Sequence, residues 1–432
     1  MTKEKIRWAA IQPLTGGFYL GAEEAIGHPA DFILSFPGFA DVKRDKNTGE
    51  MTSVGNEYHL INYLQKHNRM PDYRVFDREA FNPDMNTKVN ILETEFSKGD
   101  VPNFDNLDLV IALPVCSGIS MATSGTAQNK DIKNCNMKWI ATYVLNEMKP
   151  SAYVFENAPT LMGSRGNDLR IFFNQLGKKT GYSVLYYKTD TQLHDNCQMR
   201  PRTFVIFFKH KENNENEAPP KFEFCDQKIK PKEFFERIPE GLTQMNTVST
   251  APHNYILIDY IKEVYGENWA DKFQGALITS IIKQGKLDEF ISYVENIIPG
   301  KYTQEEIDKS LKYLRHIKYK LSLGKNYYGS DICLSKEVFP SVQFRSIPNM
   351  LHPSATRTCT VREFLELMGM PHDFELLGDS GNLPKIGQNV PVKTAKFIIE
   401  NTIRCLAEER KINNEFNIFY QDNITKRETI VA

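Results

Sequence analysis

The stretch that most constrains this chain is Leu107–Ser120, which reads LDLVIALPVCSGIS. From Leu107 to Leu113 it is apolar on both faces apart from Asp108, the pattern of a strand buried in the middle of an α/β sheet. The strand stops at Pro114 and Cys116 follows almost at once. A side chain at the carboxyl end of such a strand faces the crevice where open α/β sheets bind ligands. Ser117, Gly118 and Ser120, then Thr123–Thr126, form a small polar loop able to close over a ligand. A buried structural cysteine is the competing reading, and it is the commoner role for a cysteine taken at random.

The remaining strands and turns are read against that one. With 432 residues and 41% hydrophobic content, the chain is long enough for two or three domains with real cores. No run of about twenty apolar residues exists for a membrane helix, and the first residues do not form a signal peptide. The seven cysteines include no C-x-x-C pair, so neither a zinc site nor a disulfide framework is expected, and a reducing cytoplasm is. The formal net charge of −1 means that any nucleic-acid partner must be met by a local basic face.

Ile6–Leu14 reads as a first strand, Thr15-Gly16-Gly17 as a turn, and Phe18–Ile26 as a helix ended by Gly27. Strand, glycine turn and helix amino end suit a nucleotide-like ligand, although paired glycines by themselves mark only a tight turn. Ala30–Phe36 reads as a second strand, Pro37–Val54 as an inserted loop, and Glu57–Lys66 as a helix. Glu57 there is either an acceptor for ribose hydroxyls or a solvated first-turn acid. Lys88–Leu92 is a short strand with Glu93 beyond it. Trp139, Ile140, Tyr143, Val144 and Met148 form one helix stripe, and Pro150 ends that helix. Ser151–Phe155 is a strand carrying Glu156 and Asn157 at its carboxyl end, on the same rim as Cys116. Leu169–Leu176 is helical, and strands Ser183–Lys188 and Thr203–Phe208 flank Gln198-Met-Arg200-Pro-Arg202. Those arginines form surface ion pairs or hold a phosphate or carbonyl.

From Lys209 to Pro220 the chain turns polar and charged, a domain boundary. Beyond it, Tyr255–Tyr265, Trp269–Lys283, Leu287–Ile298 and Gln304–Leu323 read as helices. The last carries Lys309, Lys312, Arg315, His316, Lys318 and Lys320. Such a helix either lies against a phosphate backbone or is a solvated charged face. Arg357–Glu363 leads into a helix through Phe364 and Met368. Gly387–Val392 leads into another, with Ala395, Ile398, Ile399, Ile403 and Leu406 on one face. The tail from Lys411 is polar and is expected to pack loosely.

Taken in order, these stretches resemble the cytosine-5 DNA methyltransferase family over nearly the whole chain outside residues 211–345. Thr15-Gly16-Gly17-Phe18 resembles its S-adenosylmethionine loop and Asn56-Glu57 its ribose acid. Glu93 is similar to the acid near the adenine, with Asp100 as the rival. Pro114-Val-Cys116-Ser117 resembles the nucleophile loop, and Glu156-Asn157 the Glu-Asn pair. Gln198-x-Arg200-x-Arg202 matches the Gln-x-Arg-x-Arg element, while Arg357–Glu363 and Gly387–Pro391 match the two closing motifs. Val115 stands where the family usually has proline, Ser117 where glutamine is common, and the first glycine of the cofactor loop is replaced. The resemblance implies a doubly wound, mostly parallel seven-stranded Rossmann-like methyltransferase sheet with a second, largely helical target-recognition domain. It implies a catalytic and cofactor domain over 1–210, a target-recognition domain over 211–345, and a return to the catalytic domain over 346–432.

The roles implied are Cys116 as nucleophile, Glu156 as proton donor to the N3 and N4 edge, and Arg200 or Arg202 on the O2 carbonyl and a phosphate. Pro13, Leu14, Thr15, Gly16, Gly17, Phe18, Glu57, Glu93, Pro114 and Asn389 would hold S-adenosylmethionine. Ser117, Asn157 and Gln198 would touch the substrate. No metal is expected. Cytosine C5 attacks a methyl sulfonium only once a thiolate has added at C6, which is nucleophilic catalysis. A free cysteine is only a few per cent thiolate at neutral pH, so its surroundings must help. The implied activity is methylation of a cytosine flipped from duplex DNA. The phosphate contacts that offset flipping fall to the loop after Cys116 and to the helical region. The implied setting is restriction–modification or phage self-protection, by a cytoplasmic monomer in a bacterial or phage-infected cell. The same chemistry on RNA, or a silent DNA-binding relative, are the alternatives.

Overall fold

The computed structural model describes residues 5–76, 91–92, 102–114, 131–210, 221–273, 275–325, 332–342, 349–355, 357–378, 380–407 and 417–431. The chain divides into two compact units. The first comprises Met1–Asn196, Arg200–Lys228 and Met368–Ala432, and the second Cys197–Met199 and Ile229–Leu367.

The first unit is built on one sheet. Its strands are β1 (Trp8–Ile11), β2 (Phe32–Ser35), β3 (Asp72–Phe76), β4 (Ile91–Leu92), β5 (Leu109–Ala112) and β6 (Ala152–Asn157). They continue with β7 (Tyr182–Asp190), β8 (Pro201–Lys209), β9 (Ile418–Asp422) and β10 (Arg427–Val431). Across the sheet the order is β10-β9-β7-β8-β6-β5-β1-β2-β3-β4. Strands β3, β2, β1, β5 and β6 run parallel, whereas β8 is antiparallel to both β6 and β7. The expected seven-stranded, mostly parallel core is therefore the run from β7 to β3. Strand β4 and the β9–β10 hairpin extend it at the two edges. Chain order reverses at β1, so the carboxyl ends of β1 and β5 open onto the crevice of a doubly wound sheet.

Strands β1, β2 and β5 are buried throughout, which explains their unbroken apolar sequence. Helices α1 (Gly17–Ile26), α2 (Tyr58–Lys66), α3 (Asp131–Tyr143) and α4 (Asn167–Thr180) accompany them in this part of the chain. Helix α3 sets Trp139 edge-on to Phe36 and Phe76, at 5.6 and 5.4 Å between ring centres, and stacks it on Tyr143. Rings of this size each contribute about 1.5–3 kcal/mol by burial.

The second unit is mainly helical, with α5 (Pro252–Tyr265), α6 (Leu287–Glu295), α7 (Gln304–Ser322) and α8 (Val361–Leu367) among its elements. Ile256, Leu257, Phe290, Val294, Leu314 and Ile317 share its core. The last long helix, α9 (Val392–Ala407), belongs to the first unit and packs on α1.

Four expectations differ from the structure. The expected loop at 37–54 contains a hairpin, Val42–Arg44 against Met51–Val54. Its turn is closed by Asn47 and Thr48 N–H groups donating to Asp45 Oδ1 at 2.8 Å. The expected helix Trp269–Lys283 is two helices, Trp269–Lys272 and Leu277–Lys283. Gly275 has φ +77° and, with Ala276, pairs as a short strand with Cys333–Leu334. The tail is not loose over 417–431: β9 lies parallel to β7, with Tyr420 stacked on Tyr186 at 5.1 Å and Lys188 paired with Asp422 at 2.9 Å. The second compact unit also runs to Leu367, past the expected limit at 345. Residues 357–363 are tied within it, since Thr358 donates to Val248 O at 2.7 Å and Val248 N to Cys359 O at 3.0 Å.

Candidate active site

The acid and the arginines meet because of strand direction. Glu156 and Asn157 end β6, and β8 runs back beside it with Phe204 opposite Glu156 and Thr203 opposite Asn157. The amino end of β8 thus delivers Arg202 to the rim where β6 finishes. Arg202 Nε lies 2.6 Å from Glu156 Oε1, with both side chains mostly buried. Burial pushes the Glu156 carboxyl above its ordinary range, against the opposing pull of Arg202 and then Arg200. A carboxyl so placed holds a proton more readily than one in water, as a proton donor must.

Arg200 is 2% exposed, and its Nη2 donates to the carbonyls of Gly387 and Asn389, both at 2.8 Å. Its guanidinium therefore also braces the closing loop. Asn157 is fully buried, and its Oδ1 accepts from Ala158 N at 2.9 Å. Gln198 lies in the second unit, where its Oε1 accepts from Val342 N at 2.9 Å and its Nε2 donates to Leu367 O at 3.3 Å. The Gln-x-Arg-x-Arg element is thus divided between the two units, Gln198 in one and both arginines in the other.

Strand β5 pairs Ala112 with Phe155, so the buried Pro114 leaves the sheet at the rim that carries Glu156. Cys116 and Ser117, expected as nucleophile and substrate contact, lie outside the described residues. So do Glu93 and its rival Asp100.

On the other side of the switch point, the loop after β1 is sharply bent. Gln12 and Leu14 both have φ +52° and Gly16 has φ +104°, a conformation that favours glycine. Pro13 and Thr15 are buried and Leu14 is half-buried; Thr15 Oγ1 donates to Lys385 O at 3.0 Å. Gly17 N donates to Asn389 Oδ1 at 2.7 Å, and a Cβ on Gly17 would sit 2.0 Å from Val390 O. Phe18 is fully buried, edge-on to Phe204 of β8 at 5.9 Å. Asn389 consequently joins the glycine loop to Arg200, and Arg200 in turn acts on Glu156. Arg357–Glu363 has a structural use. Arg357 holds Glu363 with two hydrogen bonds, at 2.9 and 2.6 Å, and Glu363 and Thr360 exchange the reciprocal bonds of a capping box at the start of α8.

Glu57 precedes α2 and is fully buried. Tyr73 OH donates to its Oε2 at 2.8 Å. Burial raises its carboxyl to about 8, with the neighbouring Ser35 and Tyr73 hydroxyls pulling the other way. Tyr73 and Ser35 were not among the expected site residues. Their signal is their place on β3 and at the end of β2, across the sheet from one another's neighbours.

These residues fit S-adenosylmethionine. Glu57 Oε1 makes no close hydrogen bond in the fold and has the Ser35 hydroxyl beside it, so the pair can turn to ribose hydroxyls. Gly16 has no side chain to cap α1, and Asn389 takes the Gly17 N–H from outside the helix, whose positive amino end suits a polar ligand. Among the described residues no three His, Cys, Asp or Glu groups gather as metal ligands would, and no helix is long and apolar enough to cross a membrane.

Three comparisons bear on these features. No curated protein matches the sequence. Solved structures resemble the chain at low identity. A prophage-encoded protein of E. coli described as a DNA modification methyltransferase is 16% identical, over 93% of this chain and 100% of that one, with TM-score 0.47. The Entamoeba histolytica methyltransferase EhMeth is 11% identical over 94% and 100%, with TM-score 0.48. A mutant of Spodoptera frugiperda DNMT2 is 10% identical over 92% and 99%, with TM-score 0.46. The family model of the C-5 cytosine-specific DNA methylase matches residues 79–404. That span is well over half of the chain, which therefore belongs to the C-5 cytosine-specific DNA methylase family, whose methyl donor is S-adenosylmethionine.

Proposed function

We propose that this chain methylates C5 of a cytosine flipped out of duplex DNA, through a transient bond between Cys116 and C6, in a restriction–modification or phage self-protection setting. The observation that carries this reading is the buried Glu156, its pKa raised and Arg202 at 2.6 Å, on the rim where β5 hands the chain on towards Cys116.

The Cys116 thiolate adds to C6, forming the S–C6 bond and pushing electron density onto C5. Glu156 gives its proton to N3 as charge builds there, a contribution of about 10²–10⁴ in rate. Arg202, or Arg200, steadies the O2 carbonyl. S-adenosylmethionine, when bound, supplies an electrophilic methyl group. Gly16, Gly17, Glu57 and Asn389 would hold it. With the methyl on C5 and S-adenosylhomocysteine released, the C5 proton goes to solvent, the S–C6 bond breaks to return the Cys116 thiolate, and N3 gives its proton back to Glu156. Flipping costs a few kcal/mol, offset by phosphate contacts.

Tritiated methyl transfer to duplex DNA and to tRNA tests this, with bisulfite sequencing of a host plasmid reading the methylated sequence. Transfer to the duplex is expected. Cys116→Ser should abolish it, and Glu156→Gln should slow it by about 10²–10⁴. Transfer that survives Cys116→Ser, or that goes to tRNA instead, sinks the reading.

A further inference from the structure

Helix α7 has a charge pattern that its own fold does not explain. Acids are confined to its first turns, Glu305, Glu306 and Asp308, and from Lys309 to Lys325 there is no Asp or Glu. The whole chain carries a net charge of only −1, so this local excess does not follow from composition. Solvated helix faces usually interleave acids with bases at i and i+4, which stabilises the helix; here that pairing stops at Asp308.

The basic residues separate into two sets. Lys309 pairs with Glu305 at 2.7 Å, Arg315 with Glu295 at 2.8 Å, and Lys318 with Asp288 at 2.7 Å. Among the described residues no ion pair engages Lys312, His316 or Lys320. Their spacing of four puts them on one face, opposite the buried Ile307, Ser310, Leu314 and Ile317. Tyr319 and Leu323 extend that face and are 61% and 51% exposed, high for large apolar side chains on a helix. Lys320, in the last turn, complements the helix dipole. That account does not reach Lys312 or His316, which sit nearer the middle.

We propose that the Lys312–His316–Tyr319–Lys320 face of α7 lies along the phosphate backbone of duplex DNA, with Tyr319 and Leu323 resting against the sugars. The face supplies sequence-independent affinity and reads no base. Lys309, Arg315 and Lys318, already neutralised by acids, contribute little. The proposal rests on the duplex-DNA reading above, and its test is of binding alone, so its failure and the failure of the methylation reading are told apart.

The experiment is fluorescence anisotropy of the full chain with a labelled random-sequence duplex, from 50 to 200 mM salt. Each phosphate contact contributes about 0.9 to the slope of log affinity against log salt. Lys312→Gln/Lys320→Gln should make the slope shallower by about two and weaken binding roughly tenfold or more at 0.1 M salt. The control removes the same charge from exposed lysines of α4, Lys178→Gln/Lys179→Gln, and should leave the slope unchanged. An unchanged slope in the α7 variant overturns the proposal. So does an equal change in the control, which would mean net charge alone. So does tighter binding of tRNA than of duplex with the same loss in the α7 variant. Unaltered thermal melting of both variants excludes misfolding as the cause.

Discussion

Two buried carboxyls stand on either side of the switch point, and their surroundings give them opposite work. Glu156 faces two arginines, so its proton is held by burial and contested by charge. Glu57 has only hydroxyls beside it, and burial raises it from an ordinary 4.5 to about 8. The sign of the consequence follows. Below pH 4.5 the folded and unfolded chains both hold this proton. Between 4.5 and 8 the unfolded chain ionises while the fold does not, so stability is lost as pH rises through that window. In the role proposed for Glu57, ribose hydroxyls donate best to a carboxylate, so cofactor binding would pull Glu57 towards ionisation and release a proton. Affinity for S-adenosylhomocysteine should accordingly rise with pH from 6 to 8, by at most roughly tenfold per unit. Glu57→Gln should flatten the rise. Titration calorimetry at both pH values checks this, and an equal rise in the Gln variant would assign the effect to another group. Residue types were legible in the sequence here: Glu57, Glu156 and Arg202 stand out from strand ends and motif order. Tyr73, Ser35 and the brace from Arg200 to the carbonyls of residues 387 and 389 were not, because they depend on contacts between stretches that only folding brings together.

At the level of elements, the glycines that open α1 have a packing role that the sequence does not show. Gly16-Gly17 reads as a ligand turn. The packing of α1 against α9 and the residues just before it also needs Gly17 and Gly21, spaced by four on one helix face: Gly17 abuts Asn389 and Val390, and Gly21 abuts α9. A Cβ on Gly21 would come within 2.5 Å of Ala395 Cβ and of Val392 O, and within 2.8 Å of Lys396 N. Backbone atoms cannot retreat as a flexible side chain would. Gly21→Ala should therefore cost about 1–3 kcal/mol and lower the melting temperature by several degrees. Gly163→Ala should be nearly neutral, since its Cβ would meet only Thr160 O, at 3.4 Å. Scanning calorimetry of both variants decides it, and equal melting temperatures would mean that α1 and α9 are packed less tightly than these distances say. The buried strands were legible because they are apolar on both faces. β3 was not, since Asp72 and Arg74 interrupt its apolar run and leave an alternation only five residues long. The β9–β10 tail was missed for the same reason: an edge hairpin keeps polar residues that a central strand would exclude.

On the scale of the whole chain, the first unit is assembled from its two ends. Gly17 and Asn389 are hydrogen-bonded across 372 residues, and β9 pairs with β7 from the far end of the sequence. Closing so long a loop costs roughly 2–3 kcal/mol more than closing one of about 20 residues, because the entropy grows only with the logarithm of length. Burying Ala395, Ile398 and Ile399 of α9, at about 1.5–3 kcal/mol for each larger side chain, outweighs that cost. The intervening second unit is then a passenger in the topology of the first: the chain leaves after Lys228 and returns at Met368. Two truncations should give opposite results. A chain ending at Lys209 keeps Gly16, Gly17, Glu57 and Glu156 but loses Asn389, α9 and β9–β10. It should show neither cooperative melting nor binding of S-adenosylhomocysteine. A chain in which Ile229–Leu367 is replaced by a flexible linker of about 20 residues, reaching roughly 25 Å, keeps every one of those parts. It should melt cooperatively and bind S-adenosylhomocysteine with little loss, while binding duplex DNA far more weakly. If the shorter fragment binds as well as the full chain, the returning segment is not needed to form the cofactor site. If the linker chain fails while the full chain binds, the second unit supports the first in a way its topology does not reveal.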